Sequence, residues 1–450
     1  MNNNIMGCTS SVYAAAASSG KRNVQKKNKK KHNIPEVSVC VPSLWIPVQS
    51  HMLHPTLRLR LRGYIPQDLV HRITSLRNRI TLLAESAGTS TTELTQALEE
   101  YLPLALGLAN TEVGGVQDLV EFRWKEIEKG KQEICIANSW FEVLNVLYMM
   151  ATVTLMDANM KLIASPKSSS SSSHSERLVS ADCMRDALDS LLKAAGYLNF
   201  CVHHILLRLP PEIMGKLPPD LSKGVLEAIS HQALAQGTEI QLGLAVKSQN
   251  ATLSVKRRLA CEQLSYFEQA HGCLSEVDNE QGGGTKKLSL FLKWKHLEAK
   301  AAAYYYHGLI LDKAGGDKDE GGGDSSSPSS SSSGGGGSNW HEIALLCFLA
   351  AEELLGDGKK ACLSFCLSDP ITRSPPPWGA IKHLYKKIPD TASKKSQMYA
   401  YLLHQPHKQQ QQVVLPDLPE FQLSLKADEF ELPEVDPADW QVPLPAGMTL

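Results

Sequence analysis

Apolar residues recur at helical spacing over most of the chain after residue 65. The first such run begins at Asp68 and ends before Gly88, as expected of an amphipathic helix. Ser90 and Glu93 have the spacing of a capping box, so a second helix is predicted to begin there. The same periodicity predicts further helices near residues 136–163, 178–208, 220–248, 250–277, 286–314, 339–356 and 391–404. Most exceed the mean helix length, which is typical of helices stacked in an array.

One segment near the amino terminus alternates instead of following a helical period. Residues 56–62 read T-L-R-L-R-L-R, which places the leucines on one face and the arginines on the other. We expect a half-buried strand here, and residues 37–41 could pair with it. The pattern therefore predicts a small β-sheet at the amino-terminal end of a mainly α-helical fold.

Three low-complexity segments interrupt the helical pattern, at residues 165–175, 279–285 and 315–338. They are rich in serine, glycine or aspartate, and we expect disordered loops. Because lengthening a connection adds little closure entropy, such segments mark loop tips at least as readily as domain boundaries. We therefore predict a single helical domain over residues 37–440.

The two ends of the chain differ from this domain. Residues 1–36 are small, polar and basic without any period, which predicts a disordered arm. Residues 405–450 are predicted to form an extended tail, packed in part on the domain, because prolines would break any later helix: Pro416, Pro419, Pro433 and Pro437.

The formal net charge of −1 conceals an uneven distribution of charge. The tail is acidic, whereas the arm carries a basic cluster without acidic neighbours: Lys21, Arg22, Lys26, Lys27, Lys29, Lys30 and Lys31. We expect the two ends to interact with different partners.

The ten cysteines follow no zinc-like or disulfide-rich spacing, which indicates a reducing compartment. The chain also begins without a signal-peptide core, and its longest apolar stretch, residues 143–156, is too short to span a bilayer.

A lipid anchor is predicted within the arm. Residues 6–11 read M-G-C-T-S-S, the pattern for N-myristoylation of Gly7 when translation starts at Met6. One myristoyl chain binds membranes only marginally, so a second signal is needed. Cys8 could carry a palmitoyl chain, and the basic cluster could add about 1 kcal/mol per residue beside an anionic leaflet. We expect peripheral attachment of a cytoplasmic protein to an anionic membrane.

The basic cluster also has other interpretations: a solvated tail, a nuclear-localisation signal or a nucleic-acid patch. Tyr13 is the only aromatic residue of the arm that could stack on a base. The sequence therefore favours a membrane over a nucleic acid as the partner of the arm.

Catalytic and metal-binding signatures are missing from the sequence. It contains no nucleophile elbow, phosphate loop, dinucleotide fingerprint or HExxH motif. His203 and His204 are adjacent on a predicted helix and point in different directions, while Cys362 and Cys366 lack a second ligand pair. We predict no cofactor, no metal and no small-molecule substrate, and keep an unrecognised enzyme as a minor alternative.

Several segments resemble the Bro-domain family and follow its order. Residues 122–125 (F-R-W-K) are similar to the family's F-x-W-K-D, at the start of the helices of its first half. Residues 187–200 resemble its A-x-x-x-F-x-x-A-A-G-x-F helix, and residues 233–239 (A-L-A-Q-G-T-E) resemble its M-L-A-Q-A-Q-E. Residues 299–311 and 342–354 are similar to two later helices of the family.

The resemblance implies a curved helical solenoid with a tetratricopeptide-like core and a small amino-terminal sheet. It also implies a concave apolar groove that binds the amphipathic helix of an ESCRT-III-type subunit. In this chain the candidates for that groove are Leu192, Leu198, Phe200, Ile229 and Leu234. Gln232 stands where the family has a groove-facing apolar residue.

The function implied is that of a non-enzymatic adaptor in multivesicular-body sorting, on endosomal or plasma membrane. The alternative is a membrane-anchored signalling scaffold that binds a different peptide, with Gln232 altering its specificity.

Overall fold

A computed structural model describes ten stretches of the chain: residues 34–48, 61, 64–86, 90–110, 118–127, 132–163, 179–275, 283–319, 336–400 and 414–440. The long helices are α1 (Gln67–Glu85), α2 (Thr91–Ala109), α3 (Ser139–Leu162), α4 (Ala181–Phe200), α5 (Lys223–Lys247), α6 (Leu253–Ser275), α7 (Gly283–Asp319), α8 (Gly336–Leu367) and α9 (Gly379–Met398), and a short helix spans Pro211–Met214. The strands are β1 (Trp45–Pro47), β2 (Glu121–Glu126) and β3 (Glu133–Ala137).

The helices pack on one another in chain order. Each of α1 to α8 contacts the next, and α9 returns to pack on α5 and α8. Because every helix buries its apolar face against its neighbours, the core extends along the whole array. The predicted mainly α-helical solenoid with a small amino-terminal sheet is therefore confirmed.

Side-chain caps fix where several of these helices begin. Ser90 Oγ accepts a hydrogen bond from the backbone N–H of Thr92 at 3.2 Å, and Asn138 Oδ1 accepts from that of Phe141 at 3.1 Å. Each cap satisfies a backbone donor that would otherwise lack an intrahelical partner. The helix predicted to begin near Ser90 is therefore confirmed as α2, and Ser90 is its N-cap.

Helix α3 is the most deeply buried helix among the described residues. Its length and composition would suffice to cross a membrane, but 94% of its most apolar window is buried inside the structure. A helix that is apolar on all sides belongs in a core when neighbours surround it. We therefore interpret α3 as the central core helix.

The sheet differs from the predicted one. Its order is β1-β2-β3, and both pairs are antiparallel. Residues 122–125, which we expected at the start of helices, lie in β2, where Phe122 and Trp124 alternate onto the buried face. The predicted strand at 56–62 lies outside the described residues except for Leu61, which has a helical backbone.

Residues 37–41 form no strand because other groups satisfy their backbone. Asn159 Oδ1 accepts hydrogen bonds from the N–H groups of Ser38 (2.7 Å) and Val39 (2.9 Å). The N–H of Val37 donates to the carbonyl of Arg373 at 2.9 Å. A side chain of α3 and a loop distant in sequence therefore hold this stretch. The sequence of residues 37–41 alone does not indicate either contact.

Three helices extend beyond their predicted bounds. Helix α8 continues through Gly356 and Gly358 to Leu367, and α9 begins at Gly379 although it contains Pro389. Leu384, Ile388 and Ala392 recur every fourth residue and are all buried. Their burial outweighs the cost of an interior proline. Helix α7 begins and ends inside segments predicted as loops, and α8 begins at Gly336, inside the second of them. Residues 279–282 and 320–335 of those segments lie outside the described residues.

A buried carboxylate joins the sheet to the first helices. Glu142 of α3 accepts hydrogen bonds from Arg77 Nε (2.9 Å), Tyr101 Oη (2.8 Å) and Trp124 Nε1 (2.6 Å). Arg77 in turn donates to the carbonyls of Val48 and Arg123. Burial alone would lower the pKa of Arg77, whereas the Glu142 carboxylate raises it, and the resulting pKa is above its usual value. The charged pair is therefore retained inside the core.

Replacing Glu142 with alanine is expected to lower the free energy of unfolding by about 3–5 kcal/mol, because the Arg77 charge would remain buried without its partner. Equilibrium urea unfolding measures this loss. Glu100→Ala is the matched control, since Glu100 pairs with Arg79 at 3.1 Å on the surface and its loss is expected to cost at most about 1 kcal/mol. Equal losses for the two variants would contradict this account.

Candidate functional site

The most family-like stretch of the sequence carries a row of buried polar side chains on α5. Gln232 Nε2 donates to the carbonyl of Cys40 at 3.2 Å and to Gln236 Oε1 at 2.8 Å. Gln236 Nε2 donates to the carbonyl of Ser38 at 2.8 Å. These two glutamines therefore fasten the amino-terminal segment of the domain to α5.

One turn further along α5, a buried ion pair joins this helix to α7. Lys295 Nζ lies 2.7 Å from Glu239 Oε1 and 3.2 Å from Glu298 Oε2, and Tyr385 Oη donates to Glu298 Oε1 at 2.9 Å. Burial raises the pKa of Glu239, whereas Lys295 opposes that shift. Because this lysine faces two carboxylates, its pKa is raised in spite of its burial.

Four of the predicted groove residues are core residues. Leu198, Ile229 and Gln232 are completely buried, and Leu234 is 6% exposed. Leu198 and Leu234 pack inside the array, Ile229 lines an internal cavity, and Gln232 holds the amino-terminal segment, so none of the four lies on an exposed surface. The expectation that Gln232 faces a groove is therefore corrected.

The two remaining candidates lie on the outer side of α4. We call this surface the α4 face and define it by Leu188, Leu192, Gly196 and Phe200. Leu188, Leu192 and Phe200 are half-buried hydrophobic residues. Gly196 is buried in the middle of the face, which lets another backbone approach the helix closely.

The carboxyl-terminal tail, residues 414–440, covers the α4 face. The backbone N–H of Asp428 donates to the carbonyl of Leu192 at 3.2 Å. Phe430 packs edge-on against Phe200, with ring centroids 5.2 Å apart, and against Tyr197 at 4.9 Å. The surface that the sequence assigned to a partner is thus occupied by the chain itself.

Helix α6 supplies a second set of contacts to the tail. Glu262 Oε2 accepts from the backbone N–H of Ser424 (3.2 Å) and from its hydroxyl (2.6 Å). The hydroxyl of Tyr266 donates to the carbonyl of Leu425. Burial, and then Glu262, raise the pKa of Tyr266 to about 12, so this hydroxyl stays protonated as a donor at neutral pH.

A sequence signal for this contact exists in the tail. Residues 421–427 read F-Q-L-S-L-K-A, and their apolar members are half-buried while the residues between them are exposed. Strict alternation is the pattern of an extended chain with one face on a surface. The prolines on either side of this stretch predict only that no helix forms there.

Two apolar side chains that follow α4 along the chain are exposed, and we call residues 200–214 the uncovered end of the α4 face. Helix α4 passes into a π-helical turn at Cys201–Ile205, a rare geometry that is frequent at functional sites. Past this turn Leu207 is 80% exposed and Met214 is 37% exposed. Phe200 stacks on His204 at 4.6 Å, which links the covered part to this end.

Other predicted site residues lie outside the described residues: Gly7, Cys8 and the whole basic cluster of the arm. Among the described residues, no group of histidine, cysteine or acidic side chains has the arrangement of a metal site.

The fold is a stacked array of helices with a three-stranded β-sheet, and the carboxyl-terminal tail covers the apolar α4 face. The family model of the BRO1-like domain matches residues 65–318, which is more than half of the 450 residues. The chain therefore belongs to the BRO1-like domain family, as its sequence motifs indicated.

Solved structures of Bro1 domains share this fold. The chain matches ALIX in complex with the SIVmac239 PYKEVTEDL late domain with a TM-score of 0.60 and 14% identity, over 90% of this chain and 52% of that one. The chain thus spans about half the length of that ALIX chain. It matches the ALIX BRO1 CHMP4C complex with a TM-score of 0.55 and 14% identity, over 92% of this chain and 98% of that one.

A structure described as the basis for endosomal targeting by the Bro1 domain matches with a TM-score of 0.50 and 14% identity, over 82% of this chain and 98% of that one. No curated protein matches the chain.

Substituting Gly196 by alanine is expected to displace the tail from the α4 face. A β-carbon at this position would overlap the carbonyl oxygen of Asp428, which belongs to the backbone and cannot rotate away. We expect a loss of about 1–3 kcal/mol in unfolding free energy together with faster proteolysis of residues 414–440. Mass spectrometry of the cleavage products measures the second effect.

Gly272→Ala is the matched control, because nothing lies within 4 Å of a β-carbon there. As a helix-interior substitution at an open position, it should stabilise the protein by about 0.5–1 kcal/mol. Equal tail proteolysis in the two variants would show that the tail does not depend on Gly196.

Proposed function

We propose that this protein is a non-enzymatic adaptor that binds amphipathic helices of ESCRT-III-type subunits during multivesicular-body sorting. The observation that carries the proposal is the BRO1-like domain itself, matched over residues 65–318. The CHMP4C complex of the ALIX BRO1 domain supports an ESCRT-III-type partner for a domain of this fold.

The uncovered end of the α4 face is our candidate for the contact. An amphipathic helix binds by laying its apolar stripe on an apolar surface. Leu207 and Met214 follow the half-buried Phe200 along the chain and present apolar side chains to solvent. Exposed leucines occur singly on many proteins. What favours a docking surface here is that α4 leads directly into this stretch through a π-helical turn, a geometry frequent at functional sites.

The tail would then limit the length of the surface that a partner can use. It covers Leu192 through the backbone of Asp428 and Phe200 through Phe430, so a partner helix that reaches these residues must displace it. A surface available only part of the time binds with an affinity reduced by that fraction. The tail is therefore a competitor built into the chain.

Membrane attachment is the second half of the proposal. Gly7 would carry a myristoyl chain, Cys8 a palmitoyl chain, and the basic cluster would contact an anionic cytosolic leaflet. Two signals are required for stable anchoring, and this arm provides three. The anchor would hold the domain on the endosomal or plasma membrane, where ESCRT subunits assemble.

The alternative of a signalling scaffold loses its specific support. It rested on Gln232 as a residue that alters the specificity of the groove, and Gln232 is completely buried against Cys40. No other described residue favours that function over the adaptor.

Fluorescence anisotropy of labelled ESCRT-III-type helices with the full chain tests the proposal. Leu207→Asp is expected to weaken binding at least about tenfold, because it places a charge in an apolar contact that would be desolvated in the complex. The side chain is 80% exposed, so the variant should keep its wild-type thermal melting temperature.

Leu82→Asp provides the control, since Leu82 is another exposed leucine (66%) but lies on α1. It is expected to bind as the wild type does. If no helix of the panel binds the full chain or the Gly196→Ala variant, the adaptor function is wrong. Equal weakening by Leu207→Asp and Leu82→Asp would reject the contact surface.

A further inference from the structure

A cavity of about 360 Å³ lies under the amino-terminal segment of the domain. This volume is within the roughly 300–1,000 Å³ of small-molecule sites. Residues 35–44 form one wall, and α3, α5 and α7 form the others. Its lining is largely aliphatic and includes Val37, Val41, Met156, Met160, Val225 and Leu288.

The lining suits a flexible apolar ligand. Met156 and Met160 lie one turn apart on α3 and are only half-buried, although most of that helix is fully buried. Methionine is unbranched and adapts its shape to what it contacts. The opposite wall is fixed, because Asn159, Gln232 and Gln236 hold the backbone of residues 38–40.

The charges around the cavity are mostly acidic. Glu36, Asp220 and Asp369 line it, whereas Lys287 is the one basic residue in its described lining. The Lys287 ammonium has three N–H donors and already lies within hydrogen-bond distance of four oxygens: the carbonyls of Phe365 (2.6 Å), Ser368 (2.7 Å) and Pro370 (2.9 Å) and the hydroxyl of Thr372 (3.1 Å). A ligand with a free carboxylate would meet net negative charge there, and a neutral acyl amide would not.

We infer that this cavity is a binding site for a linear acyl chain, and that its occupant is the acyl group on the chain's own Gly7. The inference rests on the lipid anchor of the proposed function. A glycine-linked acyl group is a neutral amide, which the acidic lining accepts better than it accepts a fatty acid or an anionic phospholipid.

The position of the amino-terminal arm supports this occupant. Pro35 and Glu36, which follow the arm directly, line the cavity. An extended chain of the 27 residues from Gly7 to Asn33 spans up to about 90 Å, so reach is not limiting. The arm also carries the basic cluster, whose charge complements the acidic lining.

Such a site makes membrane attachment conditional. The acyl chain occupies either the cavity or the bilayer, so the two sites compete for it. A chain that is sequestered for nine-tenths of the time binds membranes about tenfold more weakly. The remainder of the attachment then depends on the basic cluster and on any acyl chain at Cys8.

The test uses the full chain translated from Met6 and acylated by co-expression with an N-myristoyltransferase. Partition is measured on vesicles of phosphatidylcholine with phosphatidylserine. Val225→Phe fills the cavity from α5, and Met156→Trp fills it from α3. Each is expected to raise the partition of the acylated protein about tenfold and to leave that of the unacylated protein unchanged.

Val246→Phe on α5 is the matched control, because Val246 is half-buried but does not line the cavity, and no change is expected. Methionine-methyl NMR of the acylated wild type should show contacts between the acyl chain and Met156 and Met160. An acylated wild type without such contacts, whose partition equals that of both cavity variants, overturns the inference.

Two further outcomes separate the parts of the argument. Intact mass spectrometry that finds no acyl group on the co-expressed protein overturns the anchor itself, and the inference with it, while binding of ESCRT-III-type helices would be unaffected. Saturable binding of free myristate by the unacylated chain, as tight as that of a neutral myristoyl-glycine amide, overturns the assignment of the site to the arm.

Discussion

Buried polar groups on α5 must find partners, and this requirement organises the structure around that helix. Gln232 and Gln236 bond to the amino-terminal segment, and Glu239 pairs with Lys295 of α7. Each of these groups would cost free energy if left without a partner inside the core. The helix therefore connects the start of the domain with its second half. It also forms one wall of the cavity and packs against α4, the helix that carries the α4 face.

The α4 face and the tail show how a groove can be kept covered within one chain. The tail contributes alternating apolar residues, one backbone hydrogen bond to Leu192 and a pair of hydrogen bonds to Glu262. None of these contacts is large by itself, and an extended segment has few internal hydrogen bonds to lose. Such a segment opens at a lower free energy than the helices beneath it, which suits a surface that another chain must reach.

The helical part of the fold could be predicted because its signals are local. Ser90 caps α2, and the apolar period of α1 and α4 fixes which faces are buried. A small sheet was also predicted, but its strands were not. The backbone of residues 37–39 bonds to Asn159 and to a loop far along the chain instead of to a strand. Of the residues predicted for a groove, Leu192 and Phe200 lie on one outer face of α4, and their role in binding a partner stays a prediction. Leu198, Ile229 and Gln232 lie in the interior instead. The sequence could not separate these two groups, because helical periodicity alone does not tell which side of a surrounded helix faces outward.

Hydrogen–deuterium exchange of the full chain, with and without a saturating ESCRT-III-type amphipathic helix, tests the central claim most directly. The account predicts slower exchange at residues 200–217 when the helix is bound, and faster exchange in tail residues 423–432 if the helix extends over Leu192. Exchange that is unchanged at residues 200–217, or slowed only in α1 and α2, would contradict the claim that the α4 face is the surface for a partner.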